Sequence, residues 1–470
     1  MSFLEGGGMG GDGDVRWDHD PALRDQIVQR AEAAGLRLVR FLYCDNDGLI
    51  RGKATGMAGL ARRLETGIGL TVAMQAFSQL DQLAPVEGMG PVGEIRLVPD
   101  PETFVVAPYA VATGVVLVDM MTLQGGPYAA DGRGFLRRMV GRARQAGIEI
   151  VAAFEPEWSL ARPEEGSYVP LDESNCFSTL GMASAAGVID EVVAALEAQG
   201  MPVEQYYPEL GWGQQELSIR HAPALRAADN HLFYRETVRA VAARHGLVAS
   251  FAPKPWPDQA GNGCHLHWSG WDPDVALNCF HDPGSPGGLS ETARQFMAGV
   301  LDHLPALVAL TCASVNSYRR LQPQTWASAY RAWGFDNREA ALRVPSPLRG
   351  LEAESTNVEL KASDSSANPY LALGGVIAAG LDGIGRGLKL PSPVAVDPGS
   401  LSDEEREALG ADRLPASLGE AIDNLERDDL LLEALGERLA APYVAVKRSD
   451  IEAFAAHDET FEFRQHFSKF

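Results

Sequence analysis

Phe154-Glu155-Pro156-Glu157-Trp158 sets two glutamates two residues apart within a predicted strand, Ile148–Leu160. Strand alternation puts both carboxylates on one face, where they repel unless a cation lies between them. Taken alone, the pair reads first as a solvated Glu-x-Glu and second as a metal site. Pro156 lacks a ladder donor, which predicts an edge strand or a bulge at that point. Downstream, Tyr207-Pro208-Glu209-Leu210-Gly211-Trp212-Gly213-Gln214-Gln215-Glu216 adds two carboxylates around a glycine turn. Gly261-Asn262-Gly263-Cys264-His265-Leu266-His267-Trp268-Ser269 follows, in which His265, His267 and Ser269 share a strand face. Asn357-Val358-Glu359-Leu360-Lys361 likewise puts Glu359 and Lys361 on one face.

Arginines complete the pattern: Asn316-Ser317-Tyr318-Arg319-Arg320-Leu321, then Trp333 to Arg338, then Arg343. In an acidic chain such a cluster points to anions, and the guanidinium fork suits phosphate and carboxylate. Each stretch alone also fits a blander reading: a solvated loop, half-buried histidines, a surface ion pair. Together, five glutamates, one or two histidines and several arginines describe hard-cation sites facing a polyphosphate, without a Walker A loop.

The rest of the chain bounds the answer. Its 470 residues suggest two to four domains, or one small and one large. Lys plus Arg number 40 against 63 Asp plus Glu, a net charge of −23 that repels phosphodiesters and anionic lipid. No nucleic-acid or membrane partner is expected, since the longest apolar stretch, Tyr370 to Leu381, is too short to span a bilayer. Five scattered cysteines without a CxxC pair support neither a disulfide framework nor a zinc ribbon, and fit a cytoplasmic location. The segment Met1–Asp14 is glycine-rich and acidic with no signal-peptide pattern, and reads as a disordered tail.

Pro21–Ala34 reads as a helix capped by Asp20, and Leu36–Cys44 with Leu49–Thr55 as a hairpin around Asp45-Asn46-Asp47-Gly48. Val115–Met120 is a short strand, and Gln124–Gly134 a linker. The expected division is a tail at 1–15, a first domain at 16–124 and a second at 125–470. In the second, helices at Phe135–Ala146, Gly187–Ala198, Asn230–His245 and Glu291–Leu301 alternate with strands at Ile148–Leu160 and Glu216–Ile219. Ser290 is an N-cap, and Ser392–Ala416 an exposed loop with a short acidic helix.

In order and spacing, these stretches resemble the glutamine synthetase superfamily from about Arg16 to Phe470. The matching motifs are Glu155-x-Glu157, Glu209-x6-Glu216, Lys254-Pro255 with Gly261–Ser269, Asn316–Leu321, Asn337-Arg338 with Arg343–Pro345, and Glu359–Tyr370. The resemblance implies an α+β chain: an N-terminal β-grasp domain, then a catalytic domain whose curved antiparallel sheet carries the metals. It implies double-ring homo-oligomers, a dodecamer by expectation, with active sites between subunits. It implies Mg²⁺ or Mn²⁺, two or three per site, and ATP as co-substrate. Carried over residue by residue, Glu155, His265 and Glu359 match the metal nearer the substrate carboxylate, and Glu157, Glu209 and Glu216 the metal at the ATP phosphates. His267 and Ser269 match nucleotide contacts, Arg338 and Arg343 phosphate contacts, and Arg320 with the Gly261 backbone the glutamate site. Lys361 stands at a catalytic position where the family has arginine, and Asn357 where another arginine contacts nucleotide.

The departures bear on the nucleophile. Ammonia-using members carry Pro-Gly-Tyr-Glu-Ala-Pro where this chain reads Pro323-Gln324-Thr325-Trp326-Ala327-Ser328. Their Phe-Asp-Gly-Ser-Ser motif is replaced by Val72 to Ser78, so neither ammonium-holding acid is found in its place. Pro391–Leu414 also has no tyrosine of the adenylylated kind. Ammonium at pH 7 needs such groups to bind it and remove its proton. Trp326, with Met74 and Phe77, instead suits an organic amine, with hydrophobic aryl- or alkylamines favoured over ammonia and polyamines. Asp81 and Glu87 lie near enough in sequence to restore an acidic pocket. The expected activity is ATP-dependent ligation of glutamate to that amine through γ-glutamyl phosphate. The rivals are an ammonia-using glutamine synthetase and a catalytically silent metal-binding ring.

Overall fold

The computed structural model describes residues 21–470, so the expectations for the N-terminal tail and the Asp20 cap lie outside the described residues. Helix α1 (Pro21–Ala33) precedes the hairpin of β1 (Leu38–Cys44) and β2 (Ile50–Gly56), then α2 (Met57–Thr66), β3 (Ile68–Thr71), β4 (Glu94–Pro99), β5 (Val105–Val106) and β6 (Thr113–Met121). The sheet runs β2-β1-β6-β4-β3, with β5 also on β6. Its one parallel pair is β1 with β6, and every residue of β6 is buried, as expected of a central apolar strand. This is the predicted N-terminal domain.

The larger sheet is built on β7 (Glu149–Glu164), flanked by α3 (Gly132–Gln145), β8 (Ser167–Pro170), α4 (Thr179–Ala198), β9 (Val203–Pro208), β10 (Gln214–Ile219), β11 (Ala222–Pro223), α5 (Ala224–Arg244), β12 (Val248–Ser250) and β13 (Cys264–Trp271). There follow α6 (Glu291–Thr311), α7 (Ser317–Arg320), β14 (Tyr330–Phe335), β15 (Ala340–Val344), α8 (Glu352–Ser355), β16 (Val358–Leu360) and α9 (Pro369–Arg386). The strand order is β14-β15-β16-β13-β7-β10-β9, with β8, β11 and β12 also pairing β7. It is antiparallel as expected except for β14 with β15, which are parallel. Five C-terminal helices close the chain: α10 (Asp403–Leu409), α11 (Leu418–Leu425), α12 (Asp429–Leu435), α13 (Glu437–Ala455) and α14 (Glu459–Lys469).

Most elements lie where periodicity and caps put them. Ser290 accepts from the Ala293 amide and starts α6, and Ser402 with Glu405 forms a capping box on the acidic helix α10. The expectation for Pro156 holds locally. Strand β7 is internal, with β13 on one side, but pairing on its other side lapses between Glu157, opposite β10, and Ala152, opposite β11. Pro156 falls in that lapse, where no ladder donor is required. Helix α4 has 20 residues and an 18-residue window of mean hydropathy 1.5, long and apolar enough to cross a bilayer by length and composition alone. It packs against α5 and β9 and carries Asp190, Glu191 and Glu197, as a helix covering a sheet does.

The two sheets share a core: Leu42, Val105 and Val115 of the first pack with Phe135, Ile150 and Leu371 of the second. Buried ion pairs cross the same junction. Arg133 at the start of α3 binds Asp119 at 2.7 Å, Asp100 at 2.8 Å and Asp229 at 2.8 Å. Lys447 of α13 reaches Asp47 in the β1–β2 turn at 2.5 Å. Helices α6 and α9 cross closely, since a methyl on Gly383 would lie 2.1 Å from the Gln295 carbonyl oxygen. All five cysteines are free.

Candidate active site

Register alone assembles the site. His265 of β13 lies opposite Glu155 of β7, Glu216 of β10 opposite Glu157, Glu359 of β16 opposite His267, and Arg343 of β15 opposite Glu359. Residues opposite each other in an antiparallel pair project to the same face. Lys361, one residue beyond β16, takes its backbone bond from the Ala341 carbonyl and continues the row.

One group of ligands is already tight. Glu155, His267 and Glu359 offer atoms that all lie within 4.8 Å of one another. His267 is gripped at both nitrogens, Nε2 3.2 Å from Glu155 Oε2 and Nδ1 2.9 Å from Asn357 Oδ1. Burial disfavours its charge, but the Glu155 hydrogen bond and the Glu359 charge outweigh this and raise its pKa to about 9. His265 stands just behind, Nδ1 3.3 Å from Glu359, with Nε2 3.3 Å from Lys361 Nζ and 3.4 Å from an Arg320 nitrogen. Burial and those two cations lower its pKa to about 4, so its neutral ring accepts from both. Of the two histidines, it is His267 rather than His265 that completes the tightest triad. Glu359 is buried, yet Lys361, both histidines and Arg343, the last at 2.6 Å, hold its pKa near 2.

The second group is strained by like charge. Glu216 is raised to about 11 by burial and by Glu155 and Glu157, with Tyr207 donating to it at 2.5 Å. Glu157 is raised to about 7 by burial, partly opposed by Arg320, while accepting from the Gly263 amide at 2.9 Å and from Gln214 at 2.8 Å. Glu209, in the turn after β9, is also raised by burial, and accepts from the Leu210 amide. Carboxylates gathered this closely fit hard divalent cations that take oxygen and an occasional imidazole.

The remaining predicted residues divide. Arg320 lies in the site, bonded to the Ser363 and Lys361 carbonyls, and Gly261 packs so closely that an added methyl would sit 2.7 Å from the Arg320 side chain. Ser269 is buried and accepts from the Trp271 indole at 2.9 Å. Arg338 is exposed between β14 and β15. Arg343 is spent on Glu359. Asp81 is tied to Arg51 at 2.8 Å, and Glu87 is exposed. Trp326 is 65% exposed, in a loop where Gln324, Trp326 and Ser328 all adopt positive φ, near 60°.

Sequence reading missed Glu339. It is 8% exposed, and its Oε1 accepts from the Trp326 amide at 2.7 Å. It directly follows Arg338 in a quoted motif, and a charged residue just before the β-strand of Arg343 was the available signal.

Comparison with known proteins agrees with this geometry. The family models for the glutamine synthetase N-terminal domain and catalytic domain match residues 21–128 and 129–466. The gamma-glutamylpolyamine synthetase of Streptomyces coelicolor is 37% identical over 94% of this chain and 97% of its own length. The glutamine synthetase of Halobacterium salinarum is 33% identical over 96% and 97%. Among solved structures, a glutamine synthase homolog superposes with TM-score 0.82 at 34% identity, covering 93% of this chain and 99% of that one. A GmaS–ADP complex gives TM-score 0.82 at 29% identity, covering 93% and 98%. Matched along residues 21–466 by the N-terminal and catalytic domain models together, this chain is a member of the glutamine synthetase family of ATP-dependent carbon–nitrogen ligases.

Proposed function

We propose that the protein joins the γ-carboxylate of glutamate to an organic amine. The carboxylate attacks the γ-phosphorus of ATP, releasing ADP and forming γ-glutamyl phosphate. The amine then attacks the acyl carbon, phosphate leaves, and a proton is lost to give the γ-glutamylamide. Glu155, Glu359 and a histidine of the pair His265/His267 would hold one Mg²⁺ or Mn²⁺, and Glu157, Glu209 and Glu216 another. Such ions, when bound, draw charge from the phosphoryl oxygens. Arg320 and the Gly261 backbone hold glutamate, His267 and Ser269 the nucleotide, and Arg338, Arg343 and Lys361 neutralise the transferring phosphoryl group.

One observation carries the choice of amine over ammonia: Trp326 occupies the register of the carboxylate that ammonia-using members place there. Its exposed indole offers an apolar surface to an amine's hydrocarbon. Similarity to a gamma-glutamylpolyamine synthetase supports an organic amine, and points to a charged one. The test is phosphate release from ATP and glutamate with ammonium, alkylamines, arylamines, ethanolamine and polyamines, with the product identified by mass. Ammonium as the best substrate would return the chain to ordinary glutamine synthesis, and no amine-dependent release would favour a silent ring.

The same reading includes a cytoplasmic homo-oligomer, a double-ring dodecamer, in which Asp45–Phe77 of one subunit approaches the catalytic sheet of the next. In support, β2 is the edge of its sheet and largely uncovered. A stable, active monomer in light scattering would refute the assembly.

A further inference from the structure

Glu339 has no assigned role in the reaction, and its setting is unusual. Arg343, Ala341 and Glu339 alternate onto one face of β15 and its lead-in, and Arg343 on that face meets Glu359. Opposite them on the neighbouring strand lie Glu359 and Lys361, because the Lys361 amide bonds the Ala341 carbonyl. Glu339 therefore extends the catalytic row by one step, towards the loop that carries Trp326. One carboxylate oxygen holds the Trp326 amide; the other, Oε2, is buried without a hydrogen-bond partner among the described residues. A buried carboxylate with one empty oxygen is costly unless a donor reaches it.

We propose that Glu339 is the amine-binding carboxylate of this enzyme, its Oε2 accepting from the ammonium group of an alkylamine or polyamine whose hydrocarbon lies along Trp326. The assignment rests on the ligase reading and narrows it, since a protonated amine needs such a partner and a neutral arylamine does not. It also relocates the missing acid: the family carboxylate absent at Trp326 is supplied from the segment that bonds Trp326 through its backbone. Burial raises the Glu339 pKa and Asp397 adds to it, while the Trp326 amide and Lys361 oppose the rise. Oε2 is enclosed, and amine entry requires the 322–328 loop to shift.

Glu339→Gln tests this, because the amide keeps a carbonyl acceptor for Trp326 and removes only the charge. Steady-state kinetics with butylamine, spermidine, ammonium and aniline should show the KM for butylamine or spermidine raised about 10- to 100-fold. The KM values for glutamate and ATP should stay within about twofold. An unchanged amine KM, or an equal rise in all three, would reduce Glu339 to a loop support and overturn the assignment. So would a wild-type preference for aniline. Should E339Q fail to fold, the same measurements on E339D, which moves the charge back by one methylene, are judged identically. A wild-type enzyme that uses no amine sinks the ligase reading itself and this assignment with it; an active one with an indifferent E339Q sinks the assignment alone.

Discussion

Glu157 and Glu216 face each other across β7 and β10, two carboxylates in one register position, with the charge of Glu157 adding to the rise in the Glu216 pKa. Their repulsion is the strongest sign that the site is built for divalent ions. Glu157→Ala and Glu216→Ala should each lower turnover by at least about 100-fold. Neither should lower the melting temperature of metal-free protein, because each relieves a repulsion, and both should shrink the rise in melting temperature caused by Mn²⁺. Near wild-type turnover with an unaltered Mn²⁺ shift would remove them from the metal site.

Arg343 is bound to Glu359 at 2.6 Å before any substrate is present. Its guanidinium is thus fixed beside Glu359, where the proposed phosphoryl transfer would develop charge. Arg343→Ala should cut kcat by about 10³-fold while changing the KM for glutamate much less. A loss confined to KM would make Arg343 a binding group only.

Trp326→Ala should weaken apparent amine affinity more than glutamate affinity, as expected of an apolar contact about 65% exposed in the free chain. The effect should be about tenfold in amine KM. Equal changes in both KM values would place the indole outside the amine path.

Arg133 holds three carboxylates in a buried cluster, Asp119 of β6, Asp100 just past β4 and Asp229 of α5. Arg133→Met leaves Asp229 without its cation, and Asp100 and Asp119 with Arg137 alone, and should cost about 3–5 kcal/mol in urea unfolding. A cost below about 1 kcal/mol would mean that water enters and replaces the guanidinium.

His466 is buried between Phe454 and Phe470 with a pKa lowered to about 4 by burial. The unfolded chain takes up a proton near pH 6.5, the native chain only near 4. Its contribution is therefore complete above about pH 6.5 and is lost as pH falls towards 4, by up to about 3 kcal/mol. His466→Phe should flatten the fall in melting temperature between pH 7 and pH 5 by calorimetry. An unchanged slope would assign acid sensitivity elsewhere, with the similarly buried His231 the next residue to test.

The legible parts of the site were those governed by alternation. Glu155 and Glu157, or Glu359 and Lys361, declare a shared face from spacing alone, and the structure keeps them there. Glu339 escaped because what singles it out is its bond to the Trp326 amide 13 residues back, a contact that no local pattern announces. Arg133 escaped for the same reason, since its partners at Asp100, Asp119 and Asp229 lie 33, 14 and 96 residues away. Pro156 was legible because the proline rule concerns one side of a strand, and β7 at that point has a partner on one side and a gap on the other.

Strand β7 pairs with β8, β10, β11, β12 and β13, and all four groups Glu155, Glu157, His265 and Glu216 take their positions from it. Among these partnerships Gln214 of β10 meets Glu157 across 57 positions of chain, and His267 of β13 meets Glu155 across 112. A slip of one residue in any of them would turn its ligands to the opposite face. Folding must therefore close long loops before any ligand pair exists, a slow process in chains dominated by non-local contacts. The catalytic centre cannot be inherited by a fragment or by a partly folded intermediate, and its chemistry begins only once the sheet is complete.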